Sequence, residues 1–164
     1  MENLGNFETG TLAAILSILA GILFLVILVL VAVYVYTSLA FMAIGKKAKL
    51  QSPGIAWIPI LGPELIAFQA SKMHWWPWLL LSGIVIGLIP LVGWFLGIVA
   101  LIVFSVFTYI WTWKMFEVIG KPGWWALVPL LSLFVFISSV GWIFNLAGSL
   151  GFLVLVGIAA WSKE

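Results

Sequence analysis

From Thr11 to Ile44 the chain is a single uncharged, almost wholly apolar run. As a helix it would extend roughly 50 Å at 1.5 Å per residue, well beyond the ~30 Å of bilayer hydrocarbon. Residues 1–10 form a short polar cap before it, and Gly45-Lys46-Lys47-Ala48-Lys49 closes it. The next stretch, 52–68, is apolar but carries Pro53, Pro59, Pro63, Gly54, Gly62 and Glu64. Proline removes a backbone donor and clashes inside a helix. Broken backbone survives at membrane depth only where protein or water satisfies it. Residues 55–68 are therefore expected to form a re-entrant or interfacial segment. Trp76 to Pro90 reads as a short span, and Pro90-Leu91-Val92-Gly93 as a tight turn. Val92 to Trp113 reads as a further span, continued by Met115 to Gly120. Trp124 to Ile137 is apolar again with Pro129 inside, and Gly141 to Trp161 is the last span.

The punctuation recurs. Ala43-Ile44-Gly45-Lys46, Pro53-Gly54 and Ala56-Trp57-Ile58-Pro59 read against Val118-Ile119-Gly120-Lys121, Pro122-Gly123 and Ala126-Leu127-Val128-Pro129. The pattern implies two units within one membrane domain (1–164), residues 11–90 and 92–161, each a helix, a Pro-broken segment and a helix.

Composition narrows the class. Hydrophobic residues make up 65% of the 164 and charged residues 7%, against about 25% charged in a soluble domain. The protein is expected to be all-α and integral to a membrane; strand alternation of the barrel kind is absent. The seven lysines unaccompanied by arginine do not form a nucleic-acid surface. No cysteine is present, so there is no disulfide or thiolate chemistry. The N-terminus lacks the positive region of a secretory signal.

Lysine bias in short loops sets orientation. Six crossings would scatter the lysines over both faces. Four long spanning helices plus two Pro-broken re-entrant or interfacial helices would put Lys46, Lys47, Lys49, Lys72, Lys114 and Lys121 inside and Lys163 outside. The second arrangement is the expectation, with six spanning helices as the alternative. It implies a cytoplasmic-type inner membrane, the N-terminus outside and the Lys-rich loops cytoplasmic.

Gly120-Lys121-Pro122-Gly123-Trp124-Trp125, Lys72-Met73-His74-Trp75-Trp76-Pro77-Trp78 and Ile89-Pro90-Leu91-Val92-Gly93 resemble the repeated Gly-Lys-Pro-Gly-Trp-Trp and Ile-Pro motifs of a family of small multi-pass prokaryotic membrane proteins of unknown function. The likeness covers roughly residues 43–140. The first copy departs from it, with Lys46 to Ser52 in place of the compact turn. The resemblance implies a membrane location and no particular chemistry.

Few side chains could carry chemistry. Glu64 stands first, because an ionisable group at membrane depth is costly and functional by default; the alternative is a wet interfacial carboxylate paired with Lys72 or Lys49. The second copy offers Leu133 or Ser132 where Glu64 would fall. Ser132, Asn145 and Ser149 complete a candidate buried polar or ion site. Lys46, Lys47, Lys49, Lys114, Glu117 and Lys121 form an interfacial charge cluster, with Glu117 spaced to pair with Lys114 and Lys121. Gly83 and Gly87, and Gly148 and Gly151, read as helix-packing positions. His74 is a lone histidine among Trp75, Trp76 and Trp78, and metal sites need three or four ligands. The eleven tryptophans fall mostly at helix ends, as interfacial anchors do.

No catalytic constellation is visible, so an enzyme is not expected. The expected role is a structural or accessory subunit packed within a larger membrane complex. The alternative is a small channel or carrier for an ion or small solute, built from the two repeats. Expected partners are membrane lipids and other membrane subunits or a second copy, with no nucleic acid. No cofactor is expected, and bound lipid is left open.

Overall fold

A computed structural model describes residues 2–90, 92–136 and 141–162, with the backbone alone for 2–10, 135 and 136. Every regular element among them is helical. Three helices are long and apolar enough to cross a membrane: Thr11–Lys47, Val92–Val118 and Gly141–Trp161. The five α-helices are α1 (Glu2–Lys47), α2 (Gly62–Ser71), α3 (Gly83–Ile86), α4 (Val92–Val118) and α5 (Gly141–Trp161). Three 3₁₀ helices lie between them: η1 (Pro53–Trp57), η2 (Trp76–Ser82) and η3 (Gly123–Phe136). The polar residues ahead of Thr11, expected as a separate cap, belong to α1 from Glu2 onward.

Two compact units divide the chain, Met1–Tyr36 and Thr37–Glu164. In the first, no side chain from Thr11 to Val33 is buried. The Ser17 hydroxyl donates to the Ala13 carbonyl at 2.7 Å, inside its own helix, which is how a hydroxyl is satisfied in lipid.

In the second unit one hydrophobic core gathers the C-terminal ends of the long helices. It holds Ala40, Phe41 and Ile44, then Trp111, Met115 and Phe116, then Val156, Ala159 and Ala160, with Ile66, Ala67 and Ala70 of α2 and Ala126 of η3. Lys47 Nζ donates to the Ala159 carbonyl at 2.8 Å and to the Ser162 carbonyl at 2.7 Å. An ammonium group there satisfies carbonyls that a helix end leaves open and sits at the negative end of the α5 dipole. The C-termini of α1 and α5 therefore lie side by side. Lys163, expected on the opposite face from Lys46, Lys47 and Lys49, lies outside the described residues.

α1 and α4 stop in the same way. Leu50 N bonds Gly45 O and Lys49 N bonds Lys46 O; Lys121 N bonds Phe116 O and Gly120 N bonds Glu117 O. These are the paired bonds of a helix closed by a left-handed residue, Lys49 at φ 55° and Gly120 at φ 72°. Each stop leads into a 3₁₀ helix, with Ala56 and Ala126 both buried. Counted from those alanines, Pro59 and Pro129 fall in register.

After the stop the copies diverge. The first turns at Pro59-Ile60-Leu61 into α2, whose start is set by Pro63 in its first turn. Lys49 to Ser52 and Phe68 to Met73 then contribute to the lining of one cavity, so this excursion returns to where it began. The second copy does not turn. Val128 packs against Gly148 and Gly151, and Phe134 against Phe144 with ring centroids 5.9 Å apart. η3 thus runs antiparallel along α5. Within the segment 124–137, expected to dip and return, η3 runs on to Phe136 without a turn, and residue 137 lies outside the described residues.

At ~2.0 Å per residue the 14 residues of η3 reach about 28 Å, whereas an α-helix of that length would reach about 21 Å. The 21 residues of α5 cover about 31 Å. Trp76 to Pro90, expected as one spanning helix, is 3₁₀ over Trp76–Ser82 and α over Gly83–Ile86. It climbs back along α4: Trp76 meets Phe107 at 4.9 Å, Trp78 meets Phe104 at 5.7 Å, and Gly83 faces Ala100 and Gly97.

Candidate functional site

Glu64 sits in the first turn of α2. Gly62 makes that position accessible: a Cβ there would collide with the Ala56 carbonyl, so only glycine lets α2 start tight against η1. Behind Glu64, α4 presents Ser105, Thr108, Tyr109 and Thr112. Those positions follow the three- and four-residue steps that keep side chains on one helix face. Ala126 and Pro129 of η3 and Phe152 of α5 complete a cavity of about 310 Å³.

The hydrogen bonds explain the state of the carboxylate. Ser105 Oγ donates to Leu101 O at 2.8 Å, Thr108 Oγ1 to Ser105 O at 2.8 Å and Thr112 Oγ1 to Thr108 O at 2.8 Å. Three of the four hydroxyls therefore spend their protons on the α4 backbone and turn lone pairs outward. Glu64 Oε2 is buried with no hydrogen-bond partner. Burial pushes the Glu64 carboxyl above its ordinary range, because an apolar surrounding disfavours the charged form.

A second cavity of about 790 Å³ lies on the other side of Ser105 and Tyr109, which belong to both walls. Ile102, Val106 and Ile110 of α4 and Leu127, Leu130 and Leu133 of η3 make it apolar, and Trp113, Lys114 and Glu117 close one end. The two cavities take different edges of η3. A 3₁₀ helix repeats every three residues, so Ala126 and Pro129 face the first cavity, Leu127, Leu130 and Leu133 the second, and Val128, Leu131 and Phe134 face α5.

The other expected site residues are elsewhere. Ser132 is half-buried, and its hydroxyl donates to Pro129 O at 2.6 Å. Asn145 is half-buried and Ser149 exposed on α5; none of the three lines the Glu64 cavity. The residues that line the Glu64 cavity were missed, although hydroxyls at 105, 108, 109 and 112 in an otherwise apolar helix were a readable signal. In the charge cluster, Glu117 Oε1 accepts from Trp113 Nε1 at 2.7 Å rather than serving chiefly the lysines. Lys47 is the member with a defined task, at the end of α5; Lys46, Lys49 and Lys114 are exposed and Lys121 half-buried.

The glycines meet neighbouring segments. A Cβ at Gly83 would stand 2.5 Å from Ala100 Cβ, one at Gly87 3.9 Å from Gly93 O, one at Gly148 3.1 Å from Ser132 N and one at Gly151 3.3 Å from Val128 Cγ1. His74 is exposed and stacks on Trp75 at 6.1 Å. Among the described residues no group of three or more His, Cys, Asp or Glu could hold a metal ion. Compared with protein-family models, with curated proteins and with solved structures, the chain finds no match in any of the three.

Proposed function

We propose that this chain is a non-catalytic, multi-pass protein of a cytoplasmic-type membrane that binds and moves a small cationic solute through the Glu64 chamber. The observation that carries the reading is the buried, unpartnered Glu64 Oε2 among hydroxyls whose protons point away. A carboxylate left in that state is costly; it must take up a proton or a cationic companion, and exchange between the two is the working step of a small carrier.

The proposed topology has five passes and one dip. α1 enters from outside, 53–71 dips at the inner face, 76–90 returns, α4 enters, η3 returns and α5 enters. Support comes from the antiparallel course of η3 along α5 and of η2 and α3 along α4, and from Lys47 on the last carbonyls of α5. In this arrangement all seven lysines fall on one face, the pattern that positive-inside bias selects, while Glu2 and Glu8 precede the first pass. The two-unit repeat is carried by the matched helix stops.

The purified protein in liposomes tests the function against a panel of proton, rubidium and methylammonium fluxes. The reading expects flux of at least one probe above that of empty liposomes, and its loss in Glu64→Gln. Absence of flux together with stoichiometric co-purification of other membrane chains would instead uphold an accessory-subunit role, which the unburied apolar residues of Thr11 to Val33 would also suit.

A further inference from the structure

The shape and chemistry of the two cavities narrow the solute. A bare metal ion is a poor fit. The Glu64 chamber of about 310 Å³ would hold several waters at ~30 Å³ each. It offers one carboxylate, whereas hard cations gather six or more oxygen ligands, several of them charged or carbonyl. Ala126, Pro129 and Phe152 occupy part of the wall, and they can contact carbon but cannot ligate. What the chamber does supply is acceptors: the unpartnered Oε2 and the outward lone pairs of Ser105, Thr108 and Thr112. A protonated amine carries three donors and no acceptor, the complement of that set.

Past Ser105 and Tyr109 lies the apolar groove of about 790 Å³. That volume falls in the range of drug-sized ligand sites. Its leucine edge offers contact to a hydrocarbon body and no polar partner along its length.

We infer that the Glu64 chamber and the α4–η3 groove together form one binding site for an amphipathic organic amine, the ammonium group at Glu64 Oε2 and the apolar body against Ile110 and Leu130. This rests on the reading that the Glu64 chamber takes a cation, and goes further by giving that cation a carbon skeleton. Tyr109 lines both compartments and so stands where the ammonium group joins the apolar body.

Saturable binding of radiolabelled decylamine to the protein in nanodiscs, corrected for empty nanodiscs, tests the assignment. Competitors are methylammonium, decanol and decanoate. The expected result is one decylamine per chain, affinity lowered by about tenfold or more in Glu64→Gln, the equivalent of ~1.4 kcal/mol, and a similar loss in Val106→Trp, which fills the groove. Decanol and decanoate should compete poorly, and this arm needs only the unaltered protein, so it holds even where a variant fails to fold. Methylammonium competing as well as decylamine, with Val106→Trp unaffected, would overturn the amphiphile while leaving the cation chamber standing. Decylamine binding equally to the protein and Glu64→Gln, with no displacement by methylammonium, would overturn both.

Discussion

Lys47→Met removes the ammonium group that closes α5 and leaves the aliphatic stem nearly intact. The two bonds, 2.8 Å to Ala159 O and 2.7 Å to Ser162 O, are charge-assisted, and such bonds contribute about 1.5–3 kcal/mol each. Favourable placement at a helix C-terminus adds ~0.3–1 kcal/mol. Lys47 is only half-buried, so water can reach part of the vacated carbonyls and recover much of the loss. The net destabilisation worked from these values is about 2 kcal/mol, a roughly 30-fold shift in the folding equilibrium. Reversible unfolding in mixed micelles with increasing dodecyl sulfate measures it. Lys46→Met is the control: it removes the same charge from the adjacent, exposed position and should change stability by no more than about 0.5 kcal/mol. Equal effects from the two variants, or less than about 0.5 kcal/mol from Lys47→Met, would refute the reasoning and remove the contact on which the proposed side of the C-terminus depends.

Because the chain has no native cysteine, single cysteines report topology directly. Positions Gln69, Lys121 and Ser162 should label from the cytoplasmic face and Leu88, exposed at the far end of 76–90, from the opposite one; Gln69 and Ser162 on opposite faces would contradict the five-pass arrangement. Gly83→Ala should destabilise by about 1–3 kcal/mol, because its Cβ would meet Ala100 Cβ at 2.5 Å, whereas Gly21→Ala, with nothing within 4 Å, should be neutral or stabilising by up to ~1 kcal/mol. Glu64 should also give stability a pH slope. Its folded-state proton affinity is raised, so the folded protein holds a proton the unfolded chain would release, and stability falls as pH rises from the ordinary glutamate range through the raised value. Tyr109 is the other titratable group lining the chamber; α2, η3 and α5 bring none besides Glu64. Glu64→Gln should flatten that slope in unfolding titrations at stepped pH, and an unchanged slope would assign it to another group.

Much of this was legible in the residues. The last uncharged run gave α5, Gly141–Trp161, to the residue; the first gave the end of α1 to within three residues but not its start at Glu2, and the Gly-Lys punctuation marked both helix stops. The break in 52–68 was visible because Pro53, Pro59 and Pro63 interrupt any continuous helix there, although α2 is regular from Gly62 onward. What could not be read was rise per residue. Ala126 to Phe134 is apolar on every side but for Ser132, so no periodicity distinguishes three residues per turn from 3.6, and the longer 3₁₀ rise of η3 left no mark in the residues. Glu64 was found because a charge is conspicuous in apolar sequence. Its hydroxyl neighbours were not, because serine and threonine inside a helix commonly bond only their own backbone, and these three do.

The three edges of η3 give insertions and substitutions very different consequences. Exchanging one leucine for another aliphatic along the Leu127, Leu130 and Leu133 edge changes one wall of one compartment. Adding a single residue near Trp125 would turn everything downstream by about a third of a revolution. Val128 and Leu131 would then face the acid, the alanine and proline would turn to the groove, and the leucine edge would swing onto α5. Such a rod behaves like a three-bit key, in which the tooth profile can wear but the count of notches cannot change.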